Sequence, residues 1–147
     1  MPVFKGSLKM TKSSILTYLA WVISITATLG SLFFSEVLEY PPCVLCWYQR
    51  IAMYPLVILF LVGEMRSSKD TVYFSFPLAI IGWLIALYHN LLHYEIVPET
   101  LSPCLEGASC STVYIELFGF LTIPMMSLIS FTIILILLIN IKRSYND

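Results

Sequence analysis

The chain is poor in charged residues. Asp, Glu, Lys and Arg make up only 12% of its 147 residues, whereas hydrophobic residues make up 59%. The charged share is about half of that found in soluble domains. A chain of this length has too little interior to hide so much apolar surface from water. The composition therefore excludes an ordinary soluble domain and indicates that a lipid bilayer surrounds the protein.

The sequence also lacks a soluble domain, an internal repeat and a low-complexity tail. Instead, four apolar segments follow one another at residues 14–35, 44–63, 71–94 and 117–141. Each is long enough to cross the hydrocarbon core of a bilayer, which takes about 20 helical residues. We therefore predict an all-α integral membrane protein, a four-transmembrane-helix bundle that forms a single membrane domain over residues 1–147.

Lysine and arginine are distributed unevenly among the connections. Seven of the eight lie in the N-terminal tail, in the connection at 64–70 or in the C-terminal tail, and only Arg50 lies elsewhere. The positive-inside rule then places both termini in the cytoplasm. The two acidic connections, about 36–46 and 95–113, would face outward. These connections carry all four cysteines.

Two of the cysteines, Cys43 and Cys46, follow a proline pair and open the second apolar segment. Backbone N–H groups at a helix start are unsatisfied and favour a thiolate. Arg50 lies one helical turn beyond Cys46 and on the same side of the helix. Its charge would favour a thiolate or another developing anion. In the alternative interpretation, Arg50 only extends toward the lipid headgroups beside a structural disulfide.

The other two cysteines, Cys104 and Cys110, are separated by five residues in the second outer loop. A disulfide that closes so short a loop stabilises a fold little, whereas an accessible disulfide suits exchange with an attacking thiolate. Either cysteine could be the one attacked. A zinc site built from both pairs is the alternative. The outward location disfavours it, because cysteines outside the cytoplasm are more often oxidised, and we predict no metal site.

Two histidines, His89 and His93, lie one helical turn apart near the end of the third segment. This spacing is compatible with metal binding, but no acidic or cysteine ligand lies near them in the sequence. Histidines in such positions ordinarily pack or form hydrogen bonds at the membrane interface. Donation to a cofactor oxygen, or relay of a proton, is the alternative.

Taken together, these features resemble the DsbB family over essentially the whole chain. The resemblance rests on the four spans, on Pro-Cys-Val-Leu-Cys-Trp-Tyr-Gln-Arg at 42–50 and on the cysteine pair in the second outer loop. Residues 30–36, 43–55 and 118–124 resemble the Bacillus-type BdbC branch in particular. The second cysteine pair differs from that of the proteobacterial branch, in which the two cysteines are far apart in a longer loop.

The resemblance implies a protein-disulfide oxidoreductase of the bacterial cell membrane. Such a protein re-oxidises an extracytoplasmic thioredoxin-like thiol oxidase of the DsbA/BdbD type, passes the electrons to a membrane quinone, either menaquinone or ubiquinone, and so drives disulfide formation. By position, Cys104 and Cys110 would exchange with the partner, and Cys104 would form the mixed disulfide. Electrons would then pass to Cys43 and Cys46, and Arg50 would bind or polarise a quinone oxygen. Nucleic acid is not an expected partner.

Two other functions remain open at this point. In the first, the protein is a non-enzymatic four-span scaffold whose disulfides only brace its loops. The Cys43 and Cys46 pair would then be inert to a reduced partner, whereas an oxidase needs the pair to cycle. In the second, electrons flow in the opposite direction, as in quinone-linked reductases. The direction of electron flow is set by the reduction potentials of the cysteine pairs, the partner and the quinone.

Overall fold

Four long helices dominate the part of the chain that the computed structural model describes, residues 11–66, 69–98, 100, 110 and 122–146. They are α1 (Lys12–Leu32), α2 (Val44–Arg66), α3 (Asp70–His93) and α4 (Ile123–Asn146). Each helix is long and apolar enough to cross a membrane. The described residues contain no strand. The predicted all-α class with four membrane-spanning helices is therefore confirmed.

The connection between α1 and α2 begins with a widened turn. A π-helical segment, Phe33–Val37, continues α1, and Glu39 then takes a left-handed backbone conformation with φ of 53°. Two prolines follow, and α2 starts at Val44. Proline is well tolerated in the residues that lead into a helix, because an N–H group there has no partner within the helix. At the other connection α4 starts at Ile123. Most of residues 117–122, which the sequence assigns to the fourth span, lie outside the described residues.

The helices pack in a closed ring. α1 contacts α2, α2 contacts α3, α3 contacts α4, and α4 returns to α1. The ring encloses fully buried side chains such as Leu56 and Phe131. A Cβ atom on Gly82 would lie 2.2 Å from the Phe131 ring, so the absence of a side chain lets α3 and α4 approach closely. The outward faces are apolar too: Ile58 and Ile136 are more than half exposed, as expected for surfaces that face lipid.

Basic side chains collect at one end of the bundle. Ser14 at the start of α1 donates a hydrogen bond to the Glu64 carboxylate near the end of α2. The Lys69 ammonium lies 5.5 Å from the centre of the Tyr145 ring. The described basic residues other than Arg50 lie in the first or last turns at this end, namely Lys12, Arg66, Lys69, Lys142 and Arg143. The start of α2 and the end of α3 therefore lie at the opposite end.

Candidate functional site

Cys43 occupies the N-cap position of α2. Its sulfur accepts a hydrogen bond from the backbone N–H of Cys46, with 3.4 Å between the atoms, and its carbonyl accepts one from Trp47 at 3.1 Å. An N-cap side chain normally satisfies a free N–H group of the first turn in this way. Here a sulfur does so, at the helix end that favours negative charge. The Cys43 and Cys46 sulfurs lie 2.8 Å apart, and both cysteines are free.

This environment lowers the pKa of the Cys43 thiol to about 4, well below its ordinary value. The largest cause is the hydrogen bond with the Cys46 thiol. Burial opposes this effect and raises the pKa. The pKa is also lowered by a hydrogen bond and an electrostatic interaction with His89, and by the hydrogen bond from the Cys46 N–H. In the reduced pair Cys43 is therefore the thiolate, and a thiolate is the reactive form in disulfide exchange.

Titration of the reduced protein should reveal this thiolate. Because the pKa is lowered, the Cys43 thiolate is present above about pH 4 and is lost as the pH falls through that value. We expect its ultraviolet absorbance to follow the same curve. Replacing Cys46 with alanine removes the largest cause and should move the titration toward the ordinary thiol range. Cys43→Ser, the control, should lack the low-pH step, and a wild-type protein without that step would contradict the prediction.

His89 on α3 connects the two cysteine regions. Its Nε2 atom lies 3.7 Å from the Cys43 sulfur and 3.3 Å from the Cys110 carbonyl oxygen. Its Nδ1 atom lies 3.1 Å from the amide nitrogen of Gln49 on α2. His89 is only 2% exposed. His93, one turn further along, does not belong to this group, and its ring packs edge-on against Tyr94.

Cys110 is buried beside the Cys43 pair and forms a disulfide. Cys104 lies outside the described residues. The ligand atoms of Cys43, His89 and Cys110 all lie within 4.8 Å of one another, a grouping that could hold a metal ion. A disulfide sulfur, however, is not the thiolate that zinc binds. In this state the grouping instead places a thiol within a short distance of a disulfide, as exchange requires.

A cavity of about 360 Å³ lies beside this pair and is lined mostly by apolar atoms of α1, α2 and α4. Cys46 and Arg50 both line it. Arg50 is buried, and its Nε and Nη2 atoms donate to the hydroxyl and the carbonyl of Ser31, each at 2.8 Å. Its guanidinium carbon also lies 5.3 Å from the centre of the Trp47 ring. These contacts fix a positive charge in the cavity wall next to a thiol.

Comparison with known proteins identifies the family. The sequence model described as "Disulfide bond formation protein DsbB" matches residues 13–141. The chain belongs to the DsbB family. "Disulfide bond formation protein C" of Bacillus subtilis (strain 168) is 40% identical over 138 residues, which are 94% of this chain and 100% of the relative. "Probable disulfide formation protein C 2" of Bacillus anthracis is 45% identical over 130 residues, 87% of this chain and 92% of the relative.

A third relative, "Probable disulfide formation protein" of Metapseudomonas resinovorans, is 40% identical over 129 residues, 87% of this chain and 90% of the relative. No solved structure matches the chain. The expected resemblance to the DsbB family and to its Bacillus-type branch is confirmed. Membership supports a role in disulfide bond formation, an oxidoreductase-type activity and a multi-pass membrane protein.

The structure brings together most of the site residues that we predicted from the sequence. Cys43, Cys46, Arg50 and Cys110 meet at one end of the bundle. Sequence reasoning missed Gln49 as a member of this group and left His89 without a cysteine neighbour. The available signal was polarity, since a buried amide and an imidazole inside apolar spans need partners.

Proposed function

We propose that the protein is a thiol:quinone oxidoreductase that re-oxidises an extracytoplasmic thioredoxin-like thiol oxidase of the DsbA/BdbD type. The observation that carries this proposal is the position of the Cys43 and Cys46 pair. One side of the pair lies within 4.8 Å of the disulfide-bonded sulfur of Cys110. The other side borders an apolar cavity that contains the Arg50 cation. Once the partner has reduced the disulfide of Cys110 to thiols, the inner pair could thus pass their two electrons to an apolar acceptor.

The first exchange would take place at the outer cysteine pair. A partner thiolate attacks the sulfur of Cys104, a new S–S bond joins the partner to Cys104, and Cys110 leaves as a thiolate. The second thiolate of the partner then attacks the partner sulfur that is bonded to Cys104, and Cys104 leaves as a thiolate. The partner departs oxidised, and Cys104 and Cys110 remain as a dithiol that holds the two electrons. The pairing of Cys104 with Cys110 is part of this proposal.

The second exchange would pass the electrons inward. The Cys110 thiolate attacks Cys43 in the oxidised inner pair, which forms a bond between Cys43 and Cys110 and releases Cys46 as a thiolate beside the cavity. Cys104 then attacks Cys110 and restores the outer disulfide, and Cys43 leaves as a thiolate. The low pKa of Cys43 assists this last step, because a thiol of low pKa is a good leaving group.

The residues around the cavity fit a quinone, either menaquinone or ubiquinone. When bound, a quinone supplies an acceptor for two electrons and two protons. The apolar wall of the cavity suits its ring. Arg50, held in place by Ser31, would bind and polarise a quinone oxygen through a charge-assisted hydrogen bond. Cys46 lines the same space, and re-formation of the Cys43 and Cys46 disulfide releases the two electrons.

The orientation in the bacterial cell membrane is part of the proposal. The basic residues at one end of the bundle, together with the positive-inside rule, support cytoplasmic termini. The Cys43 and Cys110 end would then face outward, where cysteines are oxidised and where a thiol oxidase partner works. We treat residues 1–147 as one membrane domain.

Anaerobic quinone reduction by the purified protein tests the proposal. A reduced thioredoxin-like thiol oxidase serves as the electron donor, and quinone absorbance is followed with menaquinone and ubiquinone analogues. We expect turnover that requires the protein, the donor and the quinone together. Absence of turnover with several donors and quinones, in protein whose disulfides are intact, would instead favour the non-enzymatic scaffold. Net reduction of the partner by quinol would favour the reverse direction.

A further inference from the structure

We propose that Gln49 is a positioning residue that sets which nitrogen of His89 carries the proton, so that one ring N–H holds Cys110 against Cys43. This inference rests on the proposed function, because it concerns transfer between the two cysteine pairs. Gln49 and His89 lie 40 positions apart in the chain and on different helices. The contact between them therefore exists only in the folded bundle.

The first argument comes from the Gln49 side of the ring. The Gln49 amide nitrogen can donate hydrogen bonds but cannot accept them. It lies 3.1 Å from Nδ1 of His89, so Nδ1 must offer a lone pair. In a neutral imidazole the single proton is then on Nε2.

The second argument comes from the opposite side of the ring and is independent of the first. Nε2 lies 3.3 Å from the carbonyl oxygen of Cys110, and a carbonyl oxygen can only accept. The same nitrogen lies 3.7 Å from the Cys43 sulfur, which accepts when it is a thiolate. Both neighbours therefore require a proton on Nε2, which is the tautomer that the Gln49 amide also requires.

The reversed arrangement would be unfavourable. If the Gln49 amide were turned, its oxygen would require the proton on Nδ1, and the lone pair of Nε2 would face the lone pairs of the Cys110 carbonyl. Gln49, His89 and Cys110 are each at most 7% exposed, so water offers little compensation. Around a neutral ring only one orientation of the amide satisfies all the groups, which is why we assign it, and a doubly protonated wild-type ring would overturn the assignment.

The proton on Nε2 has a consequence for transfer between the cysteine pairs. By donating to the Cys110 carbonyl, His89 holds the backbone of Cys110 beside the sulfur of Cys43. The same N–H favours negative charge on Cys43, which is the leaving group when the outer disulfide re-forms. Among the hydrogen bonds of the described residues, Gln49 makes none to the sulfur of Cys43 or Cys110. It acts instead through the ring of His89.

Histidine-selective ¹⁵N NMR of the detergent-solubilised full chain tests the assignment directly. The chain has only two histidines, and His93→Gln identifies the signals of His89. At mildly alkaline pH we expect the wild-type His89 ring to be protonated on Nε2 alone. Gln49→Glu presents only acceptors and should move the proton to Nδ1 or leave the ring doubly protonated. Gln49→Leu removes the donor to Nδ1 and should lower the share of the tautomer protonated on Nε2, although the Cys110 carbonyl still favours it.

Turnover measurements then connect the tautomer to function. We expect Gln49→Leu to slow quinone reduction about 2- to 10-fold, the range for loss of one hydrogen bond between neutral groups. In the background of His89→Gln, which keeps an N–H donor but has no tautomers, Gln49→Leu should have little further effect. A merely structural role for Gln49 would produce the same loss in both backgrounds. Asn140→Leu, an equivalent change at an exposed amide on α4, is the control and should alter neither signal nor rate.

The possible outcomes separate this inference from the proposed function. The NMR result does not depend on activity, so an inactive wild-type protein would overturn the proposed function and leave the tautomer measurement intact. A wild-type ring protonated on Nδ1, or a ring that ignores Gln49→Glu and Gln49→Leu, would overturn the inference even in a protein that reduces quinone. Equal losses in the two backgrounds would also overturn it.

Discussion

Cys46→Ser should abolish quinone reduction by a reduced thiol partner. The inner pair can no longer form a disulfide, so it can neither accept the two electrons of the outer dithiol nor pass them into the cavity that Cys46 lines. Removal of a residue that forms a covalent intermediate is among the most damaging changes an enzyme can undergo. The measurement is the anaerobic quinone assay, with wild type and variant compared at the same concentration.

The outer pair should still react in the Cys46→Ser variant. Stoichiometric exchange with the reduced partner should be detectable after acid quenching and thiol labelling. Because the Cys43 sulfur lies within 4.8 Å of the sulfur of Cys110, the Cys43 thiolate can attack Cys110 in the outer disulfide and release Cys104 as a thiolate. The resulting disulfide between Cys43 and Cys110 should accumulate and appear in non-reducing peptide mapping. Cys43→Ser, the matched control, should lose turnover as well and should lack the trapped species. If Cys46→Ser reduced quinone as fast as the wild-type protein does, the proposed electron route would be wrong.

Arg50→Ala should raise the KM for quinone about 10- to 100-fold, the range expected for loss of a hydrogen bond to a charged group. The reason is that Arg50 is a buried cation in the cavity wall. We expect the KM for the thiol partner to be unchanged, because the partner reacts at the other cysteine pair. Steady-state kinetics with each substrate varied in turn separates the two effects.

Two further variants determine what Arg50 contributes. Arg50→Lys keeps the charge but loses the planar fork that contacts Ser31 through two nitrogens, and its effect should be intermediate. Ser31→Ala removes one acceptor but leaves the carbonyl, so its effect should be the smallest of the three. Unchanged quinone kinetics in Arg50→Ala would show that the role assigned to this residue is wrong.

Much of the bundle can be predicted from the sequence because membrane spans are encoded locally. Hydropathy alone separates four apolar segments, and the prolines before Cys43 mark the start of α2. The placement of Arg50 near Cys46 also follows from helical periodicity, since both positions belong to one helix. A local pattern of this kind needs no knowledge of how the helices pack.

The contacts between helices could not be predicted in the same way. His89 meets Cys43 across 46 positions, and Arg50 meets Ser31 across 19 positions. Each contact depends on the rotation of one helix relative to its neighbour, and periodicity does not specify that rotation. In helices that are apolar on nearly every face, the sequence pattern indicates only weakly which face turns toward a neighbouring helix. The polar residues inside the spans indicated that partners were needed but not which partners they were.

The location of the redox groups at one end of the bundle has a bioenergetic consequence. Cys43, Cys46, Cys110 and Arg50 lie at the end opposite Glu64 and the basic residues. In the proposed reaction, electrons and protons from an external dithiol would reach the acceptor without crossing the bilayer. No net charge would then move through the membrane potential, which acts only on charge displaced across the membrane. Oxidative folding would proceed at the same rate in energised and de-energised cells, as long as oxidised quinone is available.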